Sequence, residues 1–328
     1  MRAIVVRAPG GEEMLEIGEV PAPSLGAADV RIRVRATAVN RADLLQRQGF
    51  YPPPPGASDV LGLECAGEVI EVGREVAGVR TGERVMALLA GGGYAQEAVV
   101  HHGSVLPVPD TMSDDEAGAF VEVFLTAYAN VFMPGLGALA PGEAVLVHGG
   151  GGGVGTAAIA LLRSVRQPCY VTVGSAEKAR RCVELGAAAA IDYTREDFVE
   201  RVRALTGGRG VGVVLDHIGA KYLAQNVAVL ATGGRLVEIG LMGGAKTEID
   251  LAQLLLRRLA VIGSTLRSRP VEEKAAIVRG FLERFGAALR AGELRPVVHA
   301  VLPLDQAADA HRLMKRSEHF GKIVLRVA

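Results

Sequence analysis

The stretch His148-Gly149-Gly150-Gly151-Gly152-Gly153-Val154-Gly155 has the composition that most directly implies chemistry. It fits G-x-G-x-x-G at Gly150, Gly152 and Gly155, with an apolar run (144–148) before it and an amphipathic run (153–166) after it. Glycines there permit a tight turn and a close approach of backbone to a pyrophosphate, and the following helix N-terminus offers N–H groups to the anion. A flexible glycine linker would lack that strand–loop–helix setting. The dinucleotide site is therefore placed on Gly150, Gly152, Gly153, Val154 and Gly155. An NAD site usually carries Asp or Glu at the end of the next strand, for the ribose 2′-OH. Here that strand (170–173) runs into Gly174-Ser175-Ala176-Glu177-Lys178, with no acid at its end. The Ser175 hydroxyl and the Lys178 cation suit a 2′-phosphate, and Arg180 and Arg181 add positive potential. The cofactor expected is NADPH; an ordinary solvated Lys178 is the plain alternative.

The elements that must position this loop are legible in the periodicity. From residue 144, short apolar strands (144–148, 170–173, 190–193, 213–216, 235–239, 260–263) alternate with helical stretches (153–166, 176–185, 195–205, 221–230, 251–257). That rhythm predicts a parallel, doubly wound sheet covered on both faces. The first ~120 residues instead hold short β-branched segments (3–6, 30–34, 67–72, 84–88, 97–100) between turns, the pattern of a small barrel or sandwich. A helix is expected over 40–48, with Arg41, Asp43, Gln46 and Arg47 on its polar side, followed by a stiff loop at the four prolines 52–55. After 271 the pattern mixes again: helix 271–291, strand 297–301, helix 305–315, strand 322–327. The fold class is α/β, with the middle domain inserted into a domain built from both chain ends.

Composition narrows the function. The 36 basic and 36 acidic residues cancel, so a nucleic-acid partner, which usually shows as a basic surplus, is not expected. Glycine reaches 42 of 328 residues without a collagen period. Three scattered cysteines (Cys65, Cys169, Cys182) form no disulfide framework and no C-x-x-C. Cys65 reads as a buried small residue. His101 and His102, if in a strand, point to opposite faces and make no metal site. The opening residues lack a signal-peptide pattern, and no apolar run approaches the ~18–20 residues of a membrane span. The expectation is a reduced, cytoplasmic protein.

Several stretches together resemble the medium-chain dehydrogenase/reductase superfamily over the whole chain. They are Asn40-Arg-Ala-Asp-Leu-Leu-Gln-Arg-Gln-Gly49, the segment 51–56, Leu61-Gly-Leu-Glu64, Gly152-Gly-Val-Gly-Thr-Ala-Ala158, Gly240-Leu-Met-Gly-Gly244, Leu266-Arg-Ser-Arg269 and Gly321-Lys-Ile-Val-Leu325. Within the superfamily the chain resembles the zinc-free NADPH quinone oxidoreductases, the zeta-crystallin group, and among these the p53-inducible branch. The resemblance implies a GroES-like β-barrel catalytic domain (1–121 and 266–328), an inserted Rossmann domain (122–265), an active site in the cleft between them, and a homodimer. The tail strand and the last Rossmann strand near 261–264 are the edges at which a sheet could extend. Zinc enzymes of the superfamily use a Cys, a His in Gly-His-Glu and a later Cys or Asp. Here the first region reads Ala38-Val-Asn-Arg-Ala-Asp43, and Leu63 stands where the His would be. No metal is expected.

The resemblance also distributes roles. Tyr51 is expected to hydrogen-bond or protonate a quinone oxygen, with a packing aromatic as the alternative. Asn40 would contact the nicotinamide ribose or the substrate, and Asp43, one helical turn on, would orient it or be a surface charge. Thr126, Gly240, Leu241, Met242, His217, Ile218 and Leu266 would surround the cofactor. Tyr193 would cover the adenine or its 2′-phosphate. Lys322 would reach a cofactor phosphate or be a strand-edge lysine. Without a Lewis acid the acceptor must take hydride readily, as quinones and conjugated enones do. The leading expectation is therefore quinone reduction by direct hydride transfer from NADPH. The alternatives are a 2-enoyl or enone reductase on the same scaffold, or a weakly catalytic NADPH-binding sensor, RNA-binding or structural protein.

Overall fold

In the computed structural model, which describes residues 1–327, the chain starts with β1 (Arg2–Val6) paired antiparallel to β2 (Leu15–Glu19), Ile4 opposite Ile17. β3 (Asp29–Ala38) follows. Val30, Ile32, Val34 and Ala36 face inward while Arg31, Arg33 and Arg35 alternate outward, the period of a half-buried strand. α1 (Arg41–Arg47) is next, then β4 (Glu64–Val72), β5 (Arg84–Leu88), β6 (Glu97–His101), β7 (Val105–Pro107) and the short α2 (Asp114–Ala117). α3 (Val121–Phe132) leads into the alternating region: β8 (Val145–His148), α4 (Gly153–Ser164), β9 (Cys169–Val173), α5 (Ala176–Leu185), β10 (Ala189–Asp192), α6 (Phe198–Leu205), β11 (Val211–Asp216), α7 (Leu223–Val229), β12 (Leu230–Glu238), α8 (Leu251–Arg257) and β13 (Ala260–Gly263). The tail forms α9 (Val271–Arg290), β14 (Val298–Pro303), α10 (Ala307–Arg316) and β15 (Lys322–Arg326).

Two units result, Met1–Leu125 with Leu266–Ala328, and Thr126–Thr265. In the first, seven strands run in the order β14-β15-β3-β4-β5-β7, with β6 also on β3. The tail strand β15 is thus interior, between β14 and β3, and offers no edge for sheet extension, contrary to the sequence expectation. Ile4, Ile32, Val69, Val85, Ile323 and Leu325 belong to its core.

In the second unit six parallel strands run β10-β9-β8-β11-β12-β13. Their near-continuous apolar sequences fit burial on both faces. The chain moves outward from β8 through β9 to β10, then restarts on the other side at β11. The carboxyl ends of β8 and β11 therefore flank the point where strand order reverses, which is where open α/β sheets bind ligands.

Candidate active site

The glycine loop leaves that switch point directly from β8. Gly150 N donates to Thr172 O (2.9 Å) and Gly152 N to Gly149 O (2.9 Å), so the turn is tight. A Cβ on Gly150 would lie 2.5 Å from Val171, and one on Gly155 2.4 Å from Gly149 O and 2.6 Å from Gly150 Cα. Side chains are thus excluded by helix–strand packing. Gly152 is less crowded: its Cβ would meet one atom within 4 Å, Gly149 O at 3.3 Å. It caps α4 with no side-chain hydrogen bond, and Gly153, Val154 and Gly155 form the first turn, whose N–H groups lack intrahelical partners. A backbone surface with free donors and a positive helix end fits a dinucleotide pyrophosphate.

The neighbouring strand ends complete this edge. Ser175 caps α5, its Oγ accepting from Lys178 N (3.2 Å). Tyr193, about half exposed, brings its hydroxyl over Gly174, where a Cβ would lie 2.6 Å from it. Ser175, Lys178 and Tyr193 are therefore gathered at the end of β9. After β11, Met242 N donates to His217 O (3.1 Å) and Gly243 N to Ile218 O (2.6 Å). This zips the His217–Ile218 turn to the Gly240–Leu241–Met242 loop, whose Leu241 and Met242 are exposed. Thr126 sits nearly buried on α3, its carbonyl accepting from Asn130.

A polar bridge that sequence reasoning missed runs beneath these loops. Asn226 Nδ2 donates to Asp216 Oδ2 (2.9 Å), so its Oδ1 accepts from His148 Nε2 (2.7 Å). His148 Nδ1 is then left to accept from Thr172 Oγ1 (2.9 Å). Burial lowers the His148 pKa and keeps the ring neutral. Asp216 in turn accepts from Ile218 N (2.7 Å) and Gly219 N (3.0 Å), fixing the turn after β11. Burial, then the neighbouring Asp216 charge, raise Glu238 to about 8. The signal was a histidine and an aspartate closing two otherwise apolar strands.

The first unit holds the other expected residues. Asn40 is the N-cap of α1, and its backbone N donates to Asp43 Oδ2 (2.8 Å) in a capping box. Asp43 is fully buried rather than a surface charge, and also accepts from Gly62 N (3.1 Å) and the Tyr94 hydroxyl (3.3 Å). Desolvation outweighs these bonds and raises its pKa to about 6. Arg47, expected on the polar side of the helix, is also fully buried and donates to His311 Nδ1 (3.0 Å). His311 Nε2 faces the Tyr94 hydroxyl (3.2 Å).

Lys322 requires a correction. It is 2% exposed and on an interior strand, so it is no strand-edge residue and presents no surface to a cofactor phosphate. Its Nζ donates to Asn40 Oδ1 (2.6 Å), to Val39 O (3.2 Å) and to Glu64 Oε1 (2.8 Å), which uses all three protons. Glu64 also accepts from Asn40 Nδ2 (3.1 Å) and Glu122 N (3.0 Å). A zinc ion does not fit this donor set. A buried ammonium already occupies it, and no group of three His, Cys, Asp or Glu among the described residues could hold a metal. His101 and His102 also differ from expectation. β6 ends at His101, so the two rings lie side by side, 4.6 Å apart. Cys65 is buried, and burial pushes its thiol up to about 12.

Tyr51 follows the strongly exposed Phe50 and opens the proline loop. Its hydroxyl makes no hydrogen bond to another described residue. Its ring lies under Arg267, 5.2 Å from guanidinium carbon to centroid. Arg267 is next to the half-buried Leu266, and its role is not legible from sequence.

Comparison with known proteins agrees with this architecture. Residues 26–110 match the alcohol dehydrogenase GroES-like domain and residues 185–325 the zinc-binding dehydrogenase family. The chain is 33% identical over 319 residues to a phenolphthiocerol/phthiocerol polyketide synthase of Mycobacterium tuberculosis, a match that covers 97% of this chain but only 14% of that protein. It is 30% identical over 328 residues to the quinone oxidoreductase of Rattus norvegicus, covering 99% and 97% of the two chains. Among solved structures, an NAD-dependent alcohol dehydrogenase has a TM-score of 0.84 at 35% identity, both chains covered in full. The Escherichia coli quinone oxidoreductase complexed with NADPH gives 0.85 at 28%, covering 99% of this chain and 100% of that one. CurK enoyl reductase gives 0.86 at 27%, covering 100% and 99%. No helix among the described residues is long and apolar enough to cross a membrane. A GroES-like domain joined to a Rossmann-like parallel sheet, with a full-length relative at 30% identity, shows that the chain belongs to the medium-chain dehydrogenase/reductase superfamily of nicotinamide-dependent oxidoreductases.

Proposed function

We propose that the protein is an NADPH-dependent quinone reductase that works without zinc, in the zeta-crystallin group and its p53-inducible branch. The observation that carries this reading is the Lys322 ammonium bonded to Asn40 and Glu64, a buried cation bonded into the two segments (38–43 and 62–64) that by resemblance correspond to the zinc-ligand segments of the zinc enzymes. No Lewis acid is then at hand there to polarise an alcohol or simple carbonyl, so the acceptor must be electron-poor by itself. When bound, the nicotinamide supplies a hydride. The chain's residues bind, orient and supply the proton. Gly150, Gly152, Gly153, Val154 and Gly155 would hold the pyrophosphate. Ser175, Lys178 and Tyr193, with no acid at the end of β9, would take the 2′-phosphate. His217, Ile218, Gly240, Leu241, Met242, Thr126 and Leu266 would frame the nicotinamide end. Asn40 is held on both sides of its amide, Oδ1 by Lys322 and Nδ2 by Glu64, ready to orient ribose or substrate. Tyr51 would donate the proton. Burial raises its phenol pKa, so the acid form prevails at neutral pH.

The polyketide synthase relative and the CurK enoyl reductase structure favour a second reading, hydride delivery to a conjugated thioester. NADPH oxidation measured with ortho- and para-quinones of graded size, with crotonyl thioester, and with NADH as control separates the readings. Turnover of quinones with NADPH preferred is the expected result. Turnover of the thioester alone refutes quinone reduction, and a preference for NADH refutes the role of Ser175 and Lys178. The protein is also proposed to be a homodimer. β13 is an edge strand, Val261 on it is exposed, and Leu251, Leu255 and Leu256 of the same unit stand in solvent at 68–78% exposure.

A further inference from the structure

Arg267 is a buried cation with no carboxylate in direct contact among the described residues. It lies in the turn that opens the second segment of the first unit and is 5% exposed. Its Nε donates to Ala90 O (2.8 Å), Nη1 to Tyr51 O (3.2 Å) and Nη2 to Gln46 Oε1 (2.7 Å). Two backbone carbonyls and one side-chain amide are thus pinned to one fork. All of these acceptors are neutral, and no carboxylate among the described residues lies within ion-pair distance of Arg267. Holding a guanidinium in such a place is costly, and burial pushes its pKa down. The Tyr51 ring face offsets part of that cost through a cation–π contact. A neutral glutamine or methionine would bind or pack without the penalty, and the distant Asp43 charge offsets only part of it, since the pKa of Arg267 is still lowered. Asp43 attracts the guanidinium from beyond ion-pair distance, and the ring in direct contact with it, on whose oxygen negative charge can develop, is Tyr51.

We propose that Arg267 is the electrostatic partner of Tyr51, stabilising the phenolate left when Tyr51 gives its proton to the reduced substrate. The inference rests on Tyr51 as the proton donor in the reading above. Two-electron reduction of a quinone by hydride leaves one oxygen as an anion. The Tyr51 O–H bond breaks, a new O–H bond forms on that oxygen, and the electron pair of the broken bond stays on Tyr51. Arg267 faces that charge until water returns the proton. Arg267 acts through Tyr51 and is a positioning residue. The other charges that bear on the pair are Glu122, which raises the Tyr51 pKa, Asp43, which favours the charged guanidinium, and Lys274, whose own pKa is lowered by burial and by Arg267.

The test compares Arg267→Met, Arg267→Gln, Arg267→Lys, Tyr51→Phe and the Tyr51→Phe/Arg267→Met double variant in the full chain. Arg267→Gln keeps hydrogen-bonding capacity without charge, so the question stays answerable if the methionine variant does not fold. The readouts are the pH profile of kcat with 1,2-naphthoquinone, the NADPH Kd by titration, and the unfolding midpoint. Each neutral variant is expected to lower kcat at pH 7 by about tenfold and to move the alkaline limb upward by about one pH unit, with the NADPH Kd unchanged. Arg267→Lys keeps the limb near its original position. In the Tyr51→Phe background the Arg267→Met change costs nothing further. A limb that Tyr51→Phe abolishes but that neither neutral variant moves overturns the inference while leaving Tyr51 as donor. Wild-type turnover in Tyr51→Phe overturns the donor assignment itself, and the inference with it.

Discussion

Lys322→Met removes one partner of an ion pair whose two side chains are 2% and 0% exposed. Glu64 then keeps two donors, Asn40 Nδ2 and Glu122 N, but loses the one positive charge bonded to it among the described residues. Asn40 Oδ1 and Val39 O each lose a donor at the same time. Breaking a buried pair from one side costs about 3–5 kcal/mol, because a charge stays behind in a low-dielectric site. That is a large share of a typical net stability of about 5–15 kcal/mol. The chain has no tryptophan, so the assay is urea unfolding followed by far-ultraviolet circular dichroism at pH 7. The Glu64→Gln/Lys322→Met double variant leaves neither charge of this pair and is expected to recover at least about 2 kcal/mol of the loss. A single variant costing under about 1 kcal/mol, or a double variant equal to the sum of the singles, would refute the reasoning: the pair would then not be coupled.

Gly155→Ala places a Cβ 2.4 Å from Gly149 O, so the loop must open; NADPH affinity by calorimetry is expected to fall by about 100-fold or more with the fold retained. Asp43 holds its proton below about pH 6 in the folded chain but only below 3.8 when unfolded, so ionised Asp43 costs about 3 kcal/mol at neutral pH. That cost is relieved as pH falls through 6 toward 3.8. Between pH 7 and 5 the wild type should gain about 1.4 kcal/mol relative to Asp43→Asn in urea unfolding, and equal pH slopes would rule this out. Glu238 likewise keeps its proton to about pH 8 when folded, against 4.5 unfolded, so stability falls as pH rises across that window and levels off above it. Glu238→Gln retains a donor toward Asp216 and should be more stabilising, relative to wild type, at pH 9 than at pH 5; the reverse order would show that the carboxyl is ionised when folded.

The sequence made the Rossmann unit legible because its signals are local. Apolar strands buried on both faces, capping Ser175 and the glycine loop each announce themselves within a few residues. β2 was invisible because Leu-Glu-Ile-Gly-Glu carries one β-branched residue and is half solvated; only its register with β1 makes it a strand. β12 begins at Leu230, in a stretch whose Thr-Gly-Gly reads as a turn, because Leu230 pairs with Val211 before a register shift. Charges that fold inward were misread for a related reason. Helix periodicity assigns Asp43 and Arg47 to solvent, but the groups that compensate burial of Arg47 are the Glu12 carboxylate (3.7 Å) and His311, 264 residues away. Lys322 finds Asn40 at a separation of 282. No window of sequence contains both members of such a pair.

The buried chain from Arg47 to Asp43 also bears on which group moves a proton. Arginine can only donate, so His311 Nδ1 must accept from it, and the ring proton sits on Nε2. Burial first, then the Arg47 charge, lower the His311 pKa to about 3, so the ring is neutral and donates this one proton to the Tyr94 oxygen. Tyr94 in turn donates to Asp43. Every bond points toward the carboxylate, and the far end is a guanidinium that does not give up its proton at working pH. Such a chain can hold Asp43 but cannot relay protons through it. If Asp43 were a donor to substrate, Tyr94→Phe would change the pH profile of kcat as well as stability. The polarity of the chain predicts that it lowers stability and leaves the profile in place, which accords with the proposal that Tyr51 gives the proton while Asp43 anchors Asn40 and Gly62.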